Sequence, residues 1–139
     1  MSTTVELFQQ GPYQFNCTNA LGKSAIIDGP VSIGGGEDGV RPMEMILMGL
    51  AGCSSFDLLS ILKKQRQAVD HLYIKVNGDR SEGEPAVFTK IEMIFEIQGN
   101  VDQKKLDKAL SLSVDKYCSV AKMLKPTVEI SWKGIIKSS

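Results

Sequence analysis

A chain of 139 residues, 42% of them hydrophobic, is long enough for one domain that buries about two-thirds of the surface its unfolded form exposes, so residues 1–139 are read as a single domain. Sixteen acidic and sixteen basic residues cancel, and no Lys/Arg block interleaved with aromatics occurs, which removes the usual electrostatic signature of a nucleic-acid or membrane-surface partner. Three cysteines, Cys17, Cys53 and Cys118, form neither an even-numbered disulfide framework nor a Cys-x-x-Cys pair, and with His71 as the only histidine no metal centre is expected.

The first six residues carry neither a basic region nor an apolar run, so no signal peptide is expected and the reading places the protein in the cytoplasm, where thiols stay reduced. Val5/Leu7 and then Tyr13/Phe15/Cys17 alternate with polar residues, the period-two pattern of half-buried strands, with Gly11-Pro12 as the turn between them. Cys17 then reads as a small core hydrophobe. Ala25-Ile26-Ile27 makes a third short strand that ends at Asp28-Gly29-Pro30. The glycine-rich loop Gly34–Gly39 has no Lys after its glycines and carries Glu37 and Asp38, so it is no phosphate loop; it reads as a flexible connector.

Around the next stretch the remainder of the chain is arranged. From Met43 to Ala51 only Glu44 is charged, so a helix here has apolar side chains on every face and must be buried all round. Pro42 suits its first position, and Lys63, Lys64 and Arg66 collect at its far end, where they complement the helix dipole. Glu44, Asp57 and the serines interrupt the apolar run before it reaches the roughly 18 residues of a membrane span. Cys53 sits near the middle, with Ile46, Leu50, Phe56 and Asp57 within about 60° of it at ~100° per residue, so one thiol stands in a mostly apolar wall. Met43, Met45 and Met48 read as core residues.

Leu72/Ile74/Val76 and Ile91/Met93/Phe95/Ile97 then predict a hairpin with one wet face, bearing Lys90, Glu92 and Glu96. Leu106, Ala109/Leu110 and Val114 recur at helical spacing and predict a helix lying on a sheet. Beyond it, a short helix beginning near Ser119 puts Cys118 at its N-terminus, where unpaired N–H groups and Lys116 favour a thiolate. Val128/Ile130/Trp132 close the chain with a last strand.

Pro42-Met43-Glu44, the apolar run to Gly52-Cys53-Ser54, and Tyr117-Cys118-Ser119-Val120 sixty-five residues after Cys53 together resemble the OsmC/Ohr family, named for osmotically inducible protein C and organic hydroperoxide resistance protein. The likeness is nearest to its YhfA-like branch and runs from about Val5 to Trp132. The resemblance implies an α+β fold in which a long central helix packs against antiparallel sheets, and an intertwined homodimer with active sites at the subunit interface. An all-round apolar helix is indeed more than one such subunit covers, and a twin helix would hide the remainder. The resemblance also makes Cys53 the peroxidatic thiolate that reduces a small apolar organic hydroperoxide, and Cys118 the thiol that resolves the resulting sulfenic acid as a disulfide, with an external dithiol as reductant and no cofactor.

Burial alone raises a thiol's pKa, so such a site must supply a cation. Here the sequence departs from the family, whose peroxidases use an arginine from the N-terminal strands and a glutamate directly after the helix-starting proline: no arginine precedes Arg41, and Met43 follows Pro42. Glu44, one position late, lies nine residues before Cys53, about 13 Å along the axis and on the opposite side of the helix, so it meets a Cys53 only across a dimer. Arg41, acting in trans, is the candidate substitute cation; as a solvated flanking residue it has no role in the chemistry. The alternative to a thiol peroxidase is a non-catalytic relative that binds an apolar ligand or senses oxidation at the interface.

Overall fold

The structure, a computed structural model, describes residues 1–137. Backbone contacts divide it into two compact units, residues 1–46 and the residues from Leu47 on.

In the first unit, β1 (Val5–Gln9), β2 (Phe15–Asn19) and β3 (Ser24–Ile27) form an antiparallel sheet in that order. The turns close as their polar residues dictate: the Gln10 N–H donates to the Gln14 carbonyl at 2.8 Å, and the Asn19 side-chain oxygen accepts from the N–H groups of Leu21 and Lys23 at 3.0 and 2.9 Å. Register pairs Leu7 with Cys17 and Cys17 with Ala25, so the alternation read from sequence becomes one apolar sheet face. The glycine loop is not the flexible connector expected. Asp28, only 2% exposed, accepts hydrogen bonds from the N–H groups of Gly29 (2.7 Å), Asp38 (3.2 Å) and Gly36 (3.3 Å) and from the Gln14 amide (3.2 Å), and so ties the loop to the strand before it.

The helix α1 (Pro42–Lys64) starts at the proline, as the sequence requires. In the second unit its buried residues are Leu50, Ser54, Leu58 and Leu62, a single i, i+4 stripe. Met48 at 55%, Phe56 at 75% and Leu59 at 41% remain exposed. One chain therefore covers one side of a helix whose composition calls for cover on every side. By length and composition α1 also passes for a membrane span, but its stripe is packed into the second unit's core.

That core rests on β4 (Ala68–Arg80) and β5 (Phe88–Asn100), paired antiparallel over nearly their full length. Ile91, Met93, Phe95 and Ile97 of β5 are fully buried on one face, while Lys90 and Glu92 are exposed on the other. The chain then passes through α2 (Gln103–Leu110), a π-helical turn Ser111–Tyr117, and α3 (Ser119–Leu124) to reach β6 (Glu129–Lys137). Here the antiparallel expectation is corrected for one strand: β6 runs parallel to β5, because a helical crossover carries the chain from the end of the sheet where β5 finishes back to the end where β5 begins. Asp102 caps α2 by accepting from the Lys105 N–H at 3.1 Å, and Leu106, Ala109, Leu110 and Val114 are buried. Two glycines mark where helices press on the sheet. A Cβ at Gly134 would stand 2.6 Å from Leu110 Cδ1, and one at Gly78 would stand 2.7 Å from the Phe88 ring and 3.3 Å from Leu47.

For Asp28, burial pushes the carboxyl up, but the hydrogen bonds, led by that from Asp38, outweigh it and hold the group below its ordinary value of 3.8. Its stabilisation is thus complete above that value and is lost as pH falls through the folded one. Thermal melts should show Asp28→Asn less stable than wild type at pH 7, with the difference shrinking as both are taken below pH 4.

Candidate functional site

Helix α1 carries Cys53 immediately before Ser54 of the buried stripe. At ~100° per residue Cys53 lies about 60° from Leu50, on the flank of that stripe, which is why its thiol is half-buried rather than sealed. Cys118 comes from the segment between the π-helical turn and α3. It is the residue on which α3 begins, its backbone extended (φ −66°, ψ 114°), and it is 1% exposed. The π-helical turn delivers it there: the Cys118 N–H donates to the Ser113 carbonyl, five residues back, at 2.9 Å.

The Cys118 sulfur has three polar neighbours besides Cys53. It accepts from the Ser54 hydroxyl at 3.3 Å and from the Ala121 N–H at 3.4 Å, and its thiol points to the Leu50 carbonyl at 4.0 Å. Two residues sixty-five positions apart in sequence are thus brought together, since the Cys53 thiol is near enough to disfavour the anion of Cys118. Both cysteines are free thiols.

The expectation that Cys118 is poised as a thiolate is corrected. Burial pushes its pKa above the ordinary 9.0; the bonds from Ser54 and Ala121 pull it down, and Cys53 adds a further upward push. The helix start is real, but Lys116, the cation expected to assist, places its Nζ 5.2 Å from the centroid of the Tyr117 ring. Chemically, a buried neutral thiol beside a half-exposed one is suited to receive an oxidised neighbour.

The remaining residues singled out from sequence lie in the first unit, where both are engaged at the entrance to α1. The Arg41 guanidinium pairs with Glu37 at 3.3 Å, and the Glu44 carboxylate accepts from the Arg41 backbone N–H at 2.9 Å, half of a capping box. Cys17 lines an open hollow of about 460 Å³ with Val5, Leu7, Ala25, Ile27 and Met45. Among the described residues no group of three or more His, Cys, Asp or Glu side chains is placed to hold a metal ion. Sequence reasoning missed Ser54. Its spacing of four from Leu50 and Leu58 is the signal that puts its hydroxyl on the buried stripe.

The model of the family described as OsmC-like protein matches residues 34–133, from the glycine loop to the last strand. The chain belongs to the OsmC family. Among its OsmC-family relatives, Protein YhfA of Escherichia coli (strain K12) is 39% identical over 114 residues, which cover 81% of this chain and 82% of that protein. The crystal structure of a hypothetical protein from Aquifex aeolicus VF5 is 34% identical, with a TM-score of 0.84 over 99% of this chain and 98% of that one. An organic hydroperoxide resistance protein from Elizabethkingia anophelis has the same fold at 14% identity, with a TM-score of 0.74 over 99% of this chain and 97% of that one.

The upward push on Cys118 of this OsmC protein has a consequence for stability. A thiol whose folded pKa is raised contributes stability that is complete below the ordinary value and is lost as pH rises through the folded value. Melting temperatures from pH 8 to 10.5 should therefore fall more steeply for wild type than for Cys118→Ser.

Proposed function

We propose that this OsmC-family protein reduces organic hydroperoxides, with Cys53 as the peroxidatic thiolate and Cys118 as the resolving thiol. The observation that carries the reading is the meeting of a half-exposed thiol with a sealed one in an otherwise apolar wall. The Cys53 thiolate attacks the distal oxygen of the hydroperoxide: the O–O bond breaks, an S–O bond forms, and the alkoxide leaves as the alcohol after taking a proton. The Cys118 thiolate then attacks the sulfenic sulfur, an S–S bond forms, and the hydroxide leaves as water. An external dithiol exchanges with that disulfide and returns both thiols, being itself oxidised.

The proposal covers the open flank of α1 with a second copy of the chain, since Met48, Phe56 and Leu59 are too exposed to be left in water together. It takes Arg41 of that second copy as the cation for Cys53, with Glu44 beside it. In the single chain Arg41 holds only Glu37, an exposed pair of the kind worth ~0–1 kcal/mol, which a thiolate readily displaces. It places the protein in the cytoplasm, where a dithiol pool keeps three free cysteines reduced. A second reading, a non-catalytic binder of an apolar ligand, is favoured by the hollow around Cys17.

Consumption of cumene hydroperoxide with dithiothreitol separates the two. Wild type should turn over; Cys53→Ser should lose activity by at least about a hundredfold; and Cys118→Ser should consume roughly one equivalent before stalling as the sulfenic acid. Equal and negligible rates in all three would leave the binder. For the assembly, light scattering should find wild type at twice the chain mass and Phe56→Asp at the chain mass.

A further inference from the structure

Ser54 has a place in the fold that neither the peroxidatic nor the resolving role explains. A serine on the buried stripe of a core helix is a cost unless its hydroxyl is bonded. In most helices such a hydroxyl turns back to a carbonyl one turn earlier. The Ser54 hydroxyl instead crosses to α3 and donates to the Cys118 sulfur at 3.3 Å, with Ser54 fully buried and Cys118 1% exposed. Its neighbour Ser55 makes the local bond, donating to the Gly52 carbonyl at 2.8 Å. Two adjacent serines on one helix are thus used differently, and only Ser54 reaches sulfur.

We infer that Ser54 is a positioning residue for Cys118: with the Ala121 N–H it forms a two-donor cradle that holds the resolving sulfur toward Cys53 and stabilises it as a thiolate at the moment of attack. The inference rests on the peroxidase reading for its place in the reaction, and it deepens that reading. The physical need is plain. In a sealed site a thiolate has no water to accept from, so every donor must come from the protein. The Leu50 carbonyl, 4.0 Å away, suits the neutral thiol and opposes the anion, which leaves the Ser54 hydroxyl and the Ala121 N–H to offset it.

Among the described residues no charged side chain bonds to the Cys118 sulfur. From α1 the titratable group facing Cys118 is Cys53. Lys116, on the turn before it, is held over the Tyr117 ring. Lys125, just past α3, pairs with Asp115 at 3.7 Å, and Asp115 also accepts from the Trp132 indole at 3.2 Å. The nearby charges are thus committed elsewhere. A hydroxyl is the donor compatible with a buried sulfur that must be neutral while waiting and anionic only during transfer.

The test is Ser54→Ala, which removes one oxygen and leaves the helix former in place. In reduced protein labelled with carbon-13 at the cysteine β-carbon, the Cys118 titration midpoint should rise by about one pH unit, a roughly tenfold loss of thiolate at a given pH. After one equivalent of cumene hydroperoxide, closure of the Cys53–Cys118 disulfide, followed by acid quench and mass spectrometry between pH 6.5 and 9, should be about tenfold slower. Formation of the Cys53 sulfenic acid should keep its wild-type rate. A serine that merely fills space would lower the melting temperature while leaving midpoint and closure rate unchanged, and that result overturns the inference. If neither protein consumes hydroperoxide but the midpoint still rises, the peroxidase reading fails and the hold of Ser54 on the sulfur stands.

Discussion

A 23-residue helix with apolar side chains on every side has more surface to hide than one sheet face can cover. The second unit meets that constraint in part, by burying the stripe from Leu50 to Leu62 and leaving the flank with Phe56 open. The position of Cys53 follows from the same division. Standing at the border between covered and uncovered sides, it is neither locked in packing nor loose at the surface. A thiol on the stripe itself would be inert, and one opposite it would face solvent or a second chain.

Cys118 shows how burial and hydrogen bonding compete over one sulfur. Sealing it raises the cost of charge, and two donors reduce that cost without removing it. The outcome is a thiol held neutral by its burial, with two donors placed to lower the cost of its anion. An electropositive setting with a lysine close by would instead favour the ionised sulfur.

Much of this was legible in the sequence because it follows from period and punctuation. The alternation Ile91/Met93/Phe95/Ile97, the helical spacing of Leu106 and Leu110, the proline that opens α1 and the serine that opens α3 each became what their pattern requires, while Val114 falls in the π-helical turn beyond α2. Less legible was anything that depends on a side chain reaching across the fold. The glycine-rich loop read as slack because composition cannot reveal that Asp28 gathers three of its own loop's N–H groups and the amide of Gln14, just before β2. Ser54 read as one of several polar interruptions, although its spacing from Leu50 and Leu58 held the clue. Lys116 was credited to the wrong neighbour because nearness in sequence says nothing about a ring beside it. The parallel return of β6 is a matter of connection, which strand periodicity does not encode.

The π-helical turn between α2 and α3 is a widened coil, holding one residue more than an ordinary turn over the same span. Each residue of helix turns the chain by ~100°, so removing that extra residue would rotate everything after it by more than a quarter circle about the axis. Sulfur 118 would swing away from the hydroxyl that now meets it, while the helices on either side kept their lengths. The meeting of Ser54 with Cys118 is therefore written in the count of residues between Ser111 and Tyr117 as much as in their identities, and a deletion here would part the two without altering either.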